Sequence, residues 1–277
     1  MRVVMRAKLS YLNPLGARGE MMSEVIEERP VDGVALLRIN RPEVLNALSM
    51  SVRNSLAEII ARLDADGETR AIVITGDQRA FAAGADLLEL QARTVHDKAF
   101  RDSRVAWTAL ETCRIPVIAA VNGFALGGGC ELALHCDIII AGEGARFGLP
   151  EVRVGIMPGA GGTQRLLRAV GKFKAMRYAL TGDHIGGAEA AAMGLASECV
   201  ADDDVLPHAI KIASKIAGLP PISVDFIKEA INLGEDASLD TALTLERKAF
   251  QLLFATEDRN EGIAAFMEKR KPNFQGR

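Results

Sequence analysis

Short apolar runs, separated by stretches of helical spacing, confine this chain to an α/β architecture. "VALLRI" at 34–39, "RAIVIT" at 70–75, "IPVIAAVNG" at 115–123 and "CDIIIAG" at 136–142 have the length and β-branched content of buried strands. After the first, "NRPEVLNAL" carries the proline and asparagines of a loop leading into a helix near 49–64, and a helix containing Trp107 and Leu110 precedes the third strand. Strands that alternate with helices need crossover connections, and ligands gather at the strand ends and the loops after them. Chemistry is therefore expected at 76–86 and 123–131. Past about residue 160 the pattern turns helical, from "GGTQRLLRAVGKFKAMRYALTG" to "SLDTALTLERKAFQLLFATEDRNEGIAAFMEKR". No repeat or Pro/Ser-rich linker interrupts it, so this half is expected to pack on the sheet or on another subunit.

The bulk properties narrow the partner. At 277 residues the chain approaches the size at which one core stops growing, and a formal net charge of −3 gives no general pull toward nucleic acid or an anionic membrane. A small molecule is the expected ligand. Cys113, Cys130, Cys136 and Cys199 show no CxxC spacing and the four histidines are scattered, so neither a zinc site nor a disulfide framework is expected. Reduced, packed thiols fit a cytosol-like compartment. Arg2, Arg6, Lys8 and Arg18 punctuate the first 22 residues without an apolar core, which excludes a secretory signal or membrane span there. A poorly ordered start before a domain opening at Met21 or Met22, and an organellar transit peptide, both remain open.

"ALGGGCELAL" at 125–134 sets three glycines directly before a carboxylate in an apolar run. Glycine weakens a helix and an unpaired buried carboxylate costs far more, so the combination suits close backbone approach beside an acid. Unpaired N–H groups at a helix N-terminus stabilise an oxygen that gains negative charge, and glycines at 127–129 would let them reach it. "AFAAGAD" at 80–86 offers a second such loop, with the Ala85 amide after Gly84. The bland alternative for either loop is a tight turn or close helix packing. Neither "GGGCEL" nor "GAGGTQ" completes GxGxxG, and no GK[ST] is present. Glu131 alone fits a helix-dipole complement, but Glu151, flanked by Pro150, Val152 and Val154, is another carboxylate in apolar surroundings. Two such groups beside an oxyanion hole would have their pKa values pushed apart into an acid and a base.

"RPEVLNAL", "AFAAGADL", "IPVIAAVNGFALGGGCELALHCDIIIAG", "FGLPEVRVGIMPGAGGTQRL", "LTGD" and "FATEDRNEGIAAFMEKRKPNF" together resemble the crotonase superfamily, and within it the enoyl-CoA hydratases, over residues 24–274. The resemblance implies a ClpP/crotonase-like α/β fold of repeated ββα units. It divides the chain into an extension at 1–22, a core at 23–200 and a C-terminal helical trimerisation region at 201–277. It implies oxyanion amides at Ala85 and Gly128, and a water held by Glu131 and Glu151. Glu131 would be the base on that water, Glu151 would give a proton to the α-carbon, and Gly159 would belong to the same wall.

Ala83, Ala85, Asp86 and Leu87 would line the coenzyme A chain, with a helix cap as the plain alternative for Asp86. Phe266 and Lys269 would reach the coenzyme A nucleotide from a neighbouring subunit; otherwise they are one apolar and one solvated residue of a terminal helix. The implied reaction is reversible hydration of a 2-trans-enoyl-CoA to a 3-hydroxyacyl-CoA, in fatty-acid β-oxidation or a related acyl-CoA degradation. It implies no metal or redox cofactor, coenzyme A being part of the substrate, and a homo-oligomer, either trimer or dimer of trimers. The expected compartment is the cytoplasm, or the mitochondrial matrix if 1–22 is a transit peptide. Alternatives within the superfamily are double-bond isomerisation or a specialised hydratase for methylglutaconyl-CoA or dehydroadipyl-CoA.

A reading from another class is a non-catalytic acyl-CoA or RNA binder. Arg165, Arg168, Lys172, Lys174 and Arg177 lie in an acid-free stretch, which reads either as an RNA-binding stripe or as a solvated helix face. His135, beside Cys136, fits core packing better than a metal site. His96, His184 and His208 have no partner visible in the sequence. Trp107 fits either core or acyl-pocket wall, and the segment 88–110 is expected to shape that pocket.

Overall fold

The computed structural model describes residues 23–92, 94, 96–97 and 104–277. The extension expected at 1–22, and the part of the pocket segment at 93, 95 and 98–103, lie outside the described residues. The apolar runs form strands that alternate between two sheets. β1 (Val25–Val31) and β2 (Val34–Ile39) make an antiparallel hairpin, and β2 pairs in parallel with β3 (Ala71–Thr75). Five residues later the chain forms β4 (Ala80–Ala82) in a second sheet. The same step recurs from β5 (Val117–Val121) to β6 (Phe124–Leu126) and from β7 (Ile138–Gly142) to β8 (Arg146–Gly148). β9 (Ile185–Gly186) closes the second sheet antiparallel to β8, and β10 (Glu198–Val200) extends the first beside β7. The orders are β1-β2-β3-β5-β7-β10 and β4-β6-β8-β9.

The repeat adds strands to 76–86 and 123–131, the segments where chemistry is expected. Both contain three-residue strands, and the run at 115–123 contributes only Val117–Val121 to the large sheet before the chain turns into the small one.

Helix α1 (Met50–Ala65) starts where Ser49 Oγ accepts the Val52 N–H, and it buries one stripe made of Val52, Leu56, Ile60 and Leu63. Each such side chain contributes about 1.5–3 kcal/mol on burial. α2 (Leu87–Gln91) and α3 (Val105–Thr112) follow, then α4 (Gly128–His135), α5 (Gly162–Val170), α6 (Lys172–Thr181) and α7 (Gly187–Met193). Alternation along the strands separates two cores. Ile72, Ile74, Ala119 and Val121 face α1 and the second sheet's Phe81 and Phe147. Ala71, Val73, Ile118 and Ala120 face Val205, Ala209 and Ala213 of α8 (Val205–Ala217).

The chain ends in α9 (Pro221–Gly234), α10 (Leu239–Leu253) and α11 (Glu257–Glu268), with the tail tied down by the buried Asp258, which accepts the Gln275 and Gly276 N–H groups. No residue of α9 or α10 is buried, and Ile227, Ile231, Leu239, Leu243 and Leu252 are all more than half exposed. Among the described residues, no helix is long and apolar enough to cross a membrane.

Candidate active site

The glycine run turns the end of β6 into α4. Gly127 has φ 50° and ψ −123°, a conformation that side chains resist, and its N–H bonds Gly148 O at 2.8 Å, tying the turn to β8. The first helical amide, on Gly128, then has no intrahelical acceptor. The β4 loop arrives opposite: a Cβ on Gly128 would lie 3.6 Å from Ala85 N, so the two backbones face each other across a gap. Neither the Ala85 nor the Gly128 N–H donates to a protein acceptor among the described residues. Two unpaired amides on adjoining loops suit an oxygen that becomes negative.

Both glutamates come to this gap. Glu131, in the first turn of α4, is 4% exposed, and its Oε1 accepts the Ala160 N–H at 2.7 Å and the Gly162 N–H at 2.9 Å. Burial pushes its carboxyl above the usual range, against the pull of those two amides. Glu151 stands on the 3₁₀ turn Pro150–Val154 that follows β8, and a Cβ on Gly127 would lie 3.0 Å from its Oε1. Its Oε2 is buried without a hydrogen-bond partner among the described residues. Burial first, and the neighbouring Glu131 charge second, push Glu151 up to about 7. Gly159, exposed in the loop that delivers the Ala160 amide, has open space around it. The arrangement can hold an anionic oxygen and move protons from one carboxyl to the other.

Sequence reasoning missed the brace behind the Ala85 loop. Leu45 and Asn46 both adopt left-handed backbone, with φ 52° and 57°. Their turn lets Leu45 O accept the Ala83 N–H at 3.0 Å and the Leu48 N–H donate to Gly84 O at 2.7 Å. The fully buried Asn46 accepts the Arg41 N–H and donates to Ala80 O at 2.7 Å. Arg41 adds bonds to Ala47 O and to Asp86 Oδ2. The "LN" pair inside "NRPEVLNAL" was the available signal, since asparagine tolerates left-handed backbone.

Asp86 is the helix cap of its plain alternative, accepting the Leu88 and Glu89 N–H groups at the start of α2. Burial works to raise its carboxyl, but Arg41 and the two amides outweigh it and hold the group below the usual range. Leu87 beside it is 64% exposed. Phe266 is 86% exposed on α11 and Lys269 caps that helix with φ 55°; no hydrogen bond or ion pair joins either to the glutamates among the described residues. Trp107 belongs to the core and lies against His135, with ring centroids 5.1 Å apart.

The four cysteines are free thiols, and burial raises Cys113 to about 11 and Cys130 to about 12, which makes both inert. The basic stripe is largely engaged within the chain. Arg165 pairs with Glu111 at 3.0 Å, Arg168 with Asp236 at 2.8 Å, and Arg177 lies over the Tyr178 ring. His208 pairs with Glu198, and His184 meets the edge of Phe124.

Fold and site thus define a double-sheet α/β protein of acid–base type, in which paired glutamates flank two free amides. A family model described as enoyl-CoA hydratase/isomerase matches residues 29–277. A probable enoyl-CoA hydratase of Rhizobium meliloti is 48% identical over 244 residues, covering 88% of this chain and 95% of that protein. The 2,3-dehydroadipyl-CoA hydratase of Escherichia coli is 46% identical over 257 residues, covering 92% of this chain and all (100%) of that one. The crystal structure of enoyl-CoA hydratase from Bacillus anthracis superposes with a TM-score of 0.88 at 39% identity, covering 92% of this chain and 100% of that one. The chain belongs to the enoyl-CoA hydratase/isomerase family, the crotonase superfamily of the sequence reading.

Proposed function

We propose that the protein is an enoyl-CoA hydratase that adds water reversibly to a 2-trans-enoyl-CoA, giving a 3-hydroxyacyl-CoA in the degradation of acyl-CoA thioesters. The observation that carries this reading is the pairing of two burial-perturbed glutamates beside two unpartnered amides. The thioester oxygen takes the Ala85 and Gly128 N–H groups, which stabilise the enolate charge that builds as water attacks C3. Glu131, ionised and held through Oε1, accepts the water proton on its other oxygen. Glu151 enters protonated and gives its proton to C2, so one water is consumed and the two carboxyls exchange charge states. A solvent proton transfer resets them. Coenzyme A arrives as part of the substrate, and no metal or redox cofactor takes part.

Ala83, Leu87 and the backbone at Asp86 line the coenzyme A chain in this scheme, and Gly159 completes the wall. Phe266 and Lys269 act from a neighbouring subunit of a trimer, or of a dimer of trimers. The bare apolar residues of α9 and α10 support assembly, and light scattering that returned a single-chain mass would count against it. The working compartment is the cytoplasm, or the mitochondrial matrix if residues 1–22 are removed there as a transit peptide.

The test is loss of the conjugated enoyl-thioester absorbance with crotonyl-CoA and longer 2-enoyl-CoAs, followed against pH. Hydration needs Glu131 ionised and Glu151 protonated. The kcat/KM should therefore fall on the acid side as Glu131 takes up its proton, and on the alkaline side above about 7 as Glu151 loses its own. No consumption of any such thioester by folded protein would refute the hydratase reading, and a rate unchanged to high pH would refute the role of Glu151.

A further inference from the structure

Behind Glu131 lies a cluster of partly exposed charged side chains gathered around the buried His135, which proton transfer to the substrate does not use. His135, one turn along α4, is 8% exposed and donates from Nδ1 to the Glu131 carbonyl oxygen at 2.8 Å. Its Nε2 lies 3.4 Å from Glu111 Oε1 on α3. That same oxygen takes Arg165 Nη2 from α5 at 3.0 Å, while Glu111 Oε2 lies 3.8 Å from Arg104. Three helices therefore meet on one carboxylate.

Their point of contact with the site is Gly161. A Cβ there would lie 3.4 Å from Arg165 Nε and 3.7 Å from His135 Cε1. Gly161 sits between Ala160 and Gly162, the residues whose N–H groups both hold Glu131 Oε1. We infer that the Glu111–Arg165 pair, packed with His135 against Gly161, forms a clamp that positions the Ala160–Gly162 amides and, through them, the proton-accepting carboxylate of Glu131. This rests on the hydratase reading of Glu131.

Ion pairs whose partners are a third exposed, as Glu111 and Arg165 are, add only about 0–1 kcal/mol, so stability alone does not account for the cluster. Burial, and then the Arg165 charge, hold His135 below its ordinary range against the pull of its bond to Glu131 and of Glu111. With its proton on Nδ1, where the Glu131 carbonyl accepts it, the ring meets Glu111 through Nε2 as a packing contact and not as a donor. Arg165 is then the donor that fixes Glu111, with Arg104 outside it, while Glu131 and, beyond it, Glu151 are the acids on the site side.

The test substitutes Glu111→Ala, which frees Arg165, and His135→Leu, which keeps the packing against Trp107. The titration of Glu131 is read by NMR of carboxyl-labelled glutamate in the unliganded full chain, alongside kcat and KM for a 2-enoyl-CoA. Loosened amides hold the ionised form less well, so the Glu131 midpoint should rise by about half a unit or more. Simple loss of the negative charge at 111 would move it the other way. We expect kcat to fall about tenfold with KM held within about twofold, and Glu111→Gln, which keeps an acceptor for Arg165, to recover most of the rate.

A Glu131 midpoint that stays put or falls, or a lower melting temperature with unchanged kcat and midpoint, would overturn the clamp. If Glu111→Ala does not fold, His135→Leu decides with the same readouts. Because the titration needs no turnover, a wild-type chain that hydrates nothing would refute the function while leaving the clamp to be judged by NMR.

Discussion

Glutamine in place of Glu131 is expected to lower the hydration kcat by about 10²–10⁴-fold while leaving a folded protein. The amide is nearly the same shape, and its oxygen can still accept the Ala160 and Gly162 N–H groups that hold Glu131 Oε1. What it lacks is the ability to take a proton from water. The oxyanion amides and the coenzyme A contacts are untouched, so KM should stay within about threefold, the signature of an interaction made in the transition state. Glu151→Gln should cost a similar factor and also remove the alkaline limb of the pH profile, because the group that titrates at about 7 is gone. Either variant retaining more than a tenth of the wild-type rate would remove that glutamate from the mechanism.

Alanine in place of Gly129 should damage stability and catalysis together. A Cβ there would fall 1.9 Å from Ala82 O and 2.7 Å from Ala82 C, and backbone cannot yield as a side-chain tip does. α4 and β4 must separate. The strain should cost about 3 kcal/mol, at the upper end of ordinary overpacking, read as a lower midpoint in denaturant. The same displacement parts the Gly128 amide on α4 from the Ala85 amide that follows β4. Losing one aligned donor is worth about 10²–10³ in rate, so hydration should fall by at least that much even in protein that is still folded at the assay temperature. A variant with the native denaturation midpoint and native rate would show that these two backbones do not meet as described.

β2, β3, β5 and β7 of the large sheet were legible because each is a continuous apolar run, while β1 and β10, polar and partly exposed, left no such signal. The second sheet was not legible either: "AFA", "FAL" and "RFG" are too short for any period to show, and their pairing partners lie tens of residues away. Glu131 and Glu151 stood out as acids in apolar surroundings. Their meeting depends on β6 and β8 being neighbours, which spacing along the chain cannot reveal. The same holds for Arg41 and Asn46: the sequence marks a turn, while the strand end it braces, at Ala80–Asp86, is more than thirty residues downstream. For α9 and α10 the apolar periodicity was clear but its destination was not, since within one chain none of those residues becomes buried.

The most direct test of paired-glutamate hydration follows the origin of each atom added. Wild-type protein is incubated with a 2-enoyl-CoA in water carrying both heavy oxygen and deuterium, and the product is examined by mass spectrometry and NMR. The account expects one heavy oxygen at C3 and one deuterium at C2 in the first-formed 3-hydroxyacyl-CoA, with both incorporations slowed together in Glu131→Gln and Glu151→Gln. Deuterium entering the acyl chain with no oxygen at C3 would contradict it, and would make this site one that moves protons between carbons without adding water.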